Sequence, residues 1–306
     1  MKTFYFYNHQ GKQKALSDAL LQNGWRSGSP SRATVIFTHV DYGSMKNSLR
    51  GHIRRGQKVI IYPHAARPNL FNDLPSGEPF PHVAVQLVAA DGHKRVLESY
   101  GYNRPIETIG WYLCPMKQFK PRPSFRKVLF APIHPNADGS LSTEYKEANH
   151  KVFCRLMDLV RCDAIELTVR HIHSLGRNGI TSEKGVTYIE GKPDQTYKDI
   201  DAADVVVSCQ TFGYMAVARG VPTVMFADDI RPHSGCTEQK NLQYVKSWEK
   251  YKHLMTYPYD ILEWTDVLYL FQLISREGLN FMDWRNRMIG DPFDAREFVR
   301  TVEKYL

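Results

Sequence analysis

Cysteine is scarce in this chain. There are five in 306 residues, Cys114, Cys154, Cys162, Cys209 and Cys236, and no two make a CxxC or the Cys/His spacing of a zinc site. An odd, scattered set excludes a disulfide framework and points to reduced, structural thiols. No run approaches the roughly 18 consecutive apolar residues of a membrane helix, and "MKTFYFYNHQGK" at the start lacks the apolar core of a signal peptide. The expectation is a cytoplasmic protein without integral membrane association. Internal repeats and low-complexity tracts are absent as well, which argues against solenoids and disordered tails. In "DGSLSTEYKE" the carboxylates have neither EF-hand nor two-metal spacing.

What the chain does have is enough apolar material for a core, 42% of its residues, and a length that suits two domains. Its formal charge of +8 and sequence pI near 9.1 suit an anionic partner, nucleic acid or a phosphate-bearing substrate, and equally suit plain solubility. The first half alternates strand-like runs with helical patterns: "TFYFY", "KALSDALLQNG", "ATVIFTHV", the basic helix "SMKNSLRGHIRRG", then "KVIIYPHA", "HVAVQLVA" and "IETIGWYL". That rhythm predicts a parallel sheet, because parallel neighbours need a crossover element.

"CPMKQFKPRPSFRK" follows, with three prolines and no apolar periodicity, and reads as a linker. The alternation then restarts with "VLFAPIH", a helix from about Thr143 to Val160, "AIELTVR", "VTYIEG", a short helix near "DQTYKDIDAA", "DVVVSC", another helix and "VPTVMF". "DILEWTDVLYLFQLISREG" carries a helical apolar stripe, and "DAREFVRTVEKYL" predicts a terminal helix. The expected architecture is α/β, with two Rossmann-like domains, an interdomain cleft and a C-terminal helix. The predicted boundaries are 1–116 for the first domain, 117–126 for a basic proline-rich linker, and 127–306 for a second domain with terminal helices.

The stretch "DIDAADVVVSCQTFGYMAVARGVPTVMF", 199–226, places a small-residue helix between two short strands. In an open α/β sheet, ligands sit beyond the carboxyl ends of the strands, where a helix start offers unpaired N–H groups and a positive dipole end. Ser208, Cys209, Gln210 and Thr211 can donate there, and Gly213 permits close approach of a phosphate. Packing of a small-residue helix on a sheet explains the same pattern without a ligand.

"ADVVVSC...GYMAVARGVPTVMF" resembles the nucleotide-site signature of the GT-B glycosyltransferases, and is similar also to UDP-N-acetylglucosamine 2-epimerases and CDP-glycerol glycerophosphotransferases. Ala216, Gly220 and Pro222 carry the match. "YPHAARPN", "YGYNRPIETIGWYLCPMKQF", "LFAPIHPN" and "ELTVRHIHSLG" agree in order along the chain. The resemblance implies a transferase that moves a sugar from a nucleotide-sugar donor to a hydroxyl, with no separate cofactor and no metal, the DxD of metal-dependent sugar transferases being taken as absent. It implies a diphosphate at Gln210, Thr211, Phe212 and Gly213, with His134, Arg170 and His171 nearby.

Met215 stands where the resemblance has a ribose-binding Glu, so Asp228 or Asp229 is the candidate replacement. The base that activates the acceptor belongs at carboxyl ends of first-domain strands, with Asp41 and His64 the leading candidates and His9 a third. Arg50, Arg54, Arg55 and Lys58 suggest an anionic acceptor. Because related folds modify phage DNA, a hydroxymethylated DNA base is the concrete case, and its target base would have to be flipped out. The alternatives are epimerisation, polyol-phosphate or surface-glycan transfer on the same fold, and a non-enzymatic binding protein with a degenerate donor site.

Overall fold

A computed structural model describes residues 2–7, 13–38, 51–62, 83–99, 104–134, 141, 143–226, 257, 259–276 and 278–306. The chain divides into two compact units. The described residues of the first come from 2–113 and Asn286–Leu306, and those of the second from Cys114–Gly235 and Thr256–Arg285.

In the first unit six strands form one parallel sheet: β1 (Thr3–Phe6), β2 (Arg26–Ser27), β3 (Val35–Thr38), β4 (Lys58–Ile61), β5 (Val83–Val88) and β6 (Ile106–Thr108). Their spatial order is β2-β1-β3-β4-β5-β6. The strands read as continuous apolar runs because helices or connections cover both faces of a parallel sheet. One face carries Phe4, Phe6, Val35, Phe37, Ile60, Tyr62, Val85 and Leu87, and it packs against α1 (Lys14–Gln22) through Leu16, Ala19 and Leu20. The other carries Ala33, Ile36, Val59, Ile61 and Val83, with Ile53 packed on it. Helix α2 (Asp91–Ser99) follows β5. Its sequence, "DGHKRVLES", is short and mostly polar, so apolar periodicity does not mark it as a helix.

The second unit holds a five-stranded parallel sheet of β7 (Lys127–Phe130), β8 (Glu166–His171), β9 (Val186–Glu190), β10 (Val205–Ser208) and β11 (Thr223–Met225), in the order β11-β10-β7-β8-β9. Its helices are α3 (Thr143–Arg161), α4 (Thr196–Ala202), α5 (Gln210–Ala218) and α6 (Val267–Arg276). The division between units falls inside α7 (Gly278–Met288).

Two segments differ from the sequence-based boundaries. The terminal helix α8 (Ala295–Lys304) groups with the first unit rather than with residues from 127 onward. Its Phe298, Val299 and Val302 enter the same core as Phe4, Leu16, Phe37 and Tyr112, an apolar stripe that satisfies itself on whichever sheet lies within reach. Asp294 caps it by accepting from the N–H groups of Arg296 and Glu297, at 2.8 and 3.0 Å.

The proline-rich segment is docked on the second unit. Lys117 N–H donates to Ala218 O at 3.0 Å, Lys117 Nζ reaches Asp201 at 2.7 Å, and Arg122 N–H donates to Ser275 O at 3.2 Å. Phe119 packs on Phe281 with ring centroids 4.7 Å apart. Gly220 sits at φ +71° with Gln118 O so close that a Cβ would lie 2.4 Å from it, so only glycine lets the segment dock here.

Deleting the Phe298 ring should destabilise the first unit. Phe298→Ala is expected to cost about 3 to 5 kcal/mol in urea unfolding. Hydrogen exchange should show the lost protection in β1, β3 and α1; loss confined to 127–225 would contradict the grouping of α8 with the first unit.

Candidate functional site

In the second sheet the chain runs outward from β7 through β8 to β9, then returns to the other side of β7 as β10. The order therefore reverses between β7 and β10, and connections leave their carboxyl ends in opposite directions, which opens a crevice there. Two elements line that edge, the segment 131–134 after β7 and the first turn of α5 after β10. Ser208 Oγ ties them by donating to Ala131 O at 2.9 Å.

The segment after β7 is held from below by Asn149 of α3, which is fully buried. Its Oδ1 accepts from Ile133 N–H at 2.8 Å, and its Nδ2 donates to Ile133 O at 2.9 Å and to Asn178 O at 2.8 Å. One amide thus meets both backbone groups of a loop residue, leaving His134 exposed at the edge. Nothing in the sequence singles out Asn149, since a lone Asn in a helix normally reads as a surface residue.

Helix α5 is electrostatically one-sided. The first bond of its ladder runs from Gly213 N–H to Cys209 O at 3.2 Å, so the N–H groups of Gln210, Thr211 and Phe212 point beyond the helix without a ladder partner. Cys209 at the cap supplies no side-chain acceptor, and the first turn has no acidic residue. At the other end, Arg285 donates to Val217 O at 3.3 Å and to Lys117 O at 2.9 Å. Arg219 there pairs with Asp201, lies over the Tyr197 ring at 5.1 Å and donates to Pro115 O at 3.1 Å. Among the described residues the negative dipole end is compensated by cations while nothing caps the positive end, and such an end binds anions.

Arg170 does not face that opening. It is buried on β8, and its Nε donates to Asp199 at 2.9 Å while one terminal nitrogen donates to Lys192 O at 2.9 Å and Thr196 Oγ1 at 2.8 Å. Its guanidinium lies over the Phe212 ring, 5.0 Å from the centroid. A Cβ on Gly191 would fall 2.5 Å from it. The expected phosphate ligand is instead a brace between β8, the β9–α4 connection and the first turn of α5. His171, the next residue, is half-buried, with Nδ1 2.8 Å from His173 O. A carbonyl only accepts, so that nitrogen carries the proton and Nε2 is left for other partners.

Thr211 and Phe212 are half-buried in the first turn of α5, and Gly213 is buried with Met225 beneath it. The backbone of Gln210 opens the helix. Met215 packs on the cluster of Leu129, Ile200, Ala203, Val206, Ala216 and Val221, and Tyr214 is fully buried edge-on to Trp284. Neither offers the carboxylate that the resemblance expects. Asp228 and Asp229 lie outside the described residues, as do His9, Asp41, His64 and Arg50. His9, Asp41 and His64 each come three residues after the end of a strand, β1, β3 and β4 respectively, and the first sheet reverses its order between β1 and β3.

Arg54, Arg55 and Lys58 are exposed where residues 51–54, which are helical, lead into the start of β4. That is the amino edge of the sheet, opposite the edge where ligands bind in this architecture. Arg55 is engaged there with His52 at 2.8 Å and Gln57 at 3.2 Å.

The DxD spacing taken as absent does occur, at Asp199-Ile200-Asp201, but inside α4. Asp199 pairs with Arg170, and Asp201 with Arg219 and Lys117, so both carboxylates already serve protein cations. Burial raises the Asp201 carboxyl, but hydrogen bonds from Arg219 and Lys117 and their charges outweigh it and hold it below the ordinary aspartate value. Among the described residues no cluster of three His, Cys, Asp or Glu could hold a metal ion, and no helix is long and apolar enough to cross a membrane.

No protein-family model matches the chain, and no characterised protein matches it by sequence. Solved structures do resemble it. A glycotransferase of kitacinnamycin superposes with a TM-score of 0.54 at 11% identity, over 99% of this chain and 98% of that one. The wall teichoic acid polymerase TagF gives 0.53 at 12% identity, over 100% and 88%. MurG of Acinetobacter baumannii gives 0.50 at 12%, over 99% and 98%. Of S. aureus TarM, a longer protein, the chain covers 55%, with a TM-score of 0.47. The fold is thus GT-B-like, with two Rossmann-like domains.

Two outcomes follow from this geometry. Asn149→Ala leaves three backbone groups unmet and should cost on the order of 3 kcal/mol in chemical unfolding. Arg170→Met should cost a similar amount by stranding Asp199, and Arg170→Met with Asp199→Leu should recover most of it; an Arg170→Met protein of unchanged stability would refute the brace. Acid titration adds a third. The depressed Asp201 pKa contributes stability that is fully present above the ordinary 3.8 and is lost as pH falls through the lower folded value. Asp201→Asn should therefore flatten the acid limb of the stability profile while lowering its plateau.

Proposed function

We propose that the chain is a glycosyltransferase that takes its sugar from a nucleotide-sugar donor bound by the second unit. The observation that carries this reading is the first turn of α5 at the β7/β10 reversal, which has no acidic residue and no side-chain cap, with its opposite end compensated by Arg285 and Arg219. A diphosphate there would accept from the backbone N–H groups of Gln210, Thr211 and Phe212. His134 and His171 stand at the ends of the two neighbouring strands as candidate second donors. Stabilising the leaving diphosphate is the main electrostatic demand of sugar transfer, and preorganised backbone dipoles meet it without reorganisation.

The acceptor hydroxyl needs a base, and Asp41, His64 and His9 remain the candidates because each closely follows a strand of the first sheet. Arg54, Arg55 and Lys58 at the amino edge give no support to a nucleic-acid acceptor. Hydroxymethylated DNA is therefore one acceptor to be tested among hydroxyl compounds generally.

The test is a thermal-shift panel of UDP, CDP, GDP, ADP and dTDP, since a ligand at 100 times its dissociation constant stabilises by about 2.7 kcal/mol. One nucleotide should respond clearly. Mass spectrometry of hydroxymethylated DNA and of simple glycoside acceptors, incubated with the matching donor sugar, would then identify the product. A panel without a responder would leave the fold as a binding protein with a degenerate donor site.

A further inference from the structure

The register of the first sheet shifts within one strand pair. Between β4 and β5 the register shifts, Val59 pairing with Val83 but Ile60 with Val85, so Ala84 is an extra residue on β5. Before the bulge Val83 lies on the face of Ala33, Ile36, Val59 and Ile61; after it Val85 and Leu87 lie on the face of Phe4 and Phe37. Uninterrupted alternation from Val83 would turn Gln86 to that second face. The bulge re-aims it to the first, level with Ile61, the last residue of β4, and bulges are enriched beside active sites for such purposes.

Gln86 is 95% buried. Its Nε2 donates to Leu87 O at 3.0 Å, which fixes the amide orientation, because a carbonyl cannot face the amide oxygen. Among the described residues the Oε1 has no partner. In register beside it stand Ile61 of β4 and Ile106 of β6, neither of which can donate, with Thr38 one strand farther, roughly 10 Å away. An unmet buried carbonyl is destabilising, whereas an apolar residue of the same shape would be neutral or better. A folded chain that both bulges a strand and orphans an oxygen at its ligand edge is built to receive a hydrogen-bond donor.

We infer that Gln86 is the specificity-determining contact of an acceptor pocket in the first unit, reading a neutral hydroxyl-bearing molecule whose O–H donates to Oε1. This inference rests on the transferase reading above and assigns its acceptor chemistry. An uncharged amide flanked by isoleucines suits a polyol, a sugar or a hydroxymethylated base, and does not suit a phosphate, whose oxygens would face another acceptor.

The experiment uses the full chain with selectively labelled glutamine side chains and three probes: glycerol, N-acetylglucosamine and 5-hydroxymethyl-2′-deoxycytidine. At least one should move the Gln86 amide signal, which is assigned by its disappearance in Gln86→Leu. Gln86→Leu should raise Tm by about 2 to 4 °C and weaken binding of the responding probe at least tenfold, with nucleotide affinity unchanged. Gln86→Met serves if the leucine variant does not fold. A Gln86 signal that no probe moves, or a variant that binds the responding probe as well as the parent, overturns the inference. A nucleotide response with a silent Gln86 keeps the transferase and removes the pocket. A polyol response without any nucleotide keeps the pocket and removes the transferase.

Discussion

Everything functional in this molecule depends on the strands of each sheet being parallel. A parallel neighbour can be reached only by a crossover, so every connection leaving a strand's carboxyl end starts at one edge of the sheet, and every connection returning arrives at the other. Chemistry therefore collects at a single edge. In the second sheet that edge carries the segment after β7, His171 at the end of β8 and the start of α5 after β10, and the order reverses between β7 and β10. The same rule moves Arg54, Arg55 and Lys58 out of consideration, since they lie where the chain arrives rather than where it leaves.

The carboxyl edge of the second sheet is stiffened by buried polar groups rather than by its exposed ones. Asn149 holds the segment after β7, Ser208 joins it to β10, and Arg170 with Asp199 and Thr196 supports Phe212 from beneath. At the far end of α5, Arg285 donates to Val217 O and Lys117 N–H to Ala218 O, while Arg219 holds the docked segment through Pro115 O. Among the described residues the helix start is left with unspent donors, in a setting that cannot easily relax. Rigid, unspent backbone donors are what a diphosphate would use, and their worth comes from being fixed before the ligand arrives.

Much of this was legible in the residues. The strand runs "VIFT", "KVII", "KVLF" and "VVVS" are β-branched and apolar, bounded by turn residues, and they appear as strands within a few residues of expectation. The small-residue helix after "VVVSC" could be placed at a ligand edge because strand and helix share a junction there. Harder to read were residues whose meaning depends on a partner far along the chain. Arg170 reads as a free cation in "ELTVRHIH" and becomes a brace only because Asp199 and Lys192 fold back to it. The prolines of 114–126 suggest a loose linker because they break periodicity, yet Gly220 and Phe281 give that segment a seat.

By itself the sequence determined the class of structure, two parallel α/β sheets with a small-residue helix at a strand end, because hydrophobic periodicity and turn chemistry are local and survive in one dimension. Tertiary structure decided which charges are spent and which remain available, where the last helix docks, and that Gln86 is turned inward with its oxygen unmet. Those outcomes are sums over contacts between residues tens to hundreds of positions apart, and an apolar stripe or a lone amide carries no label saying which distant surface will complete it.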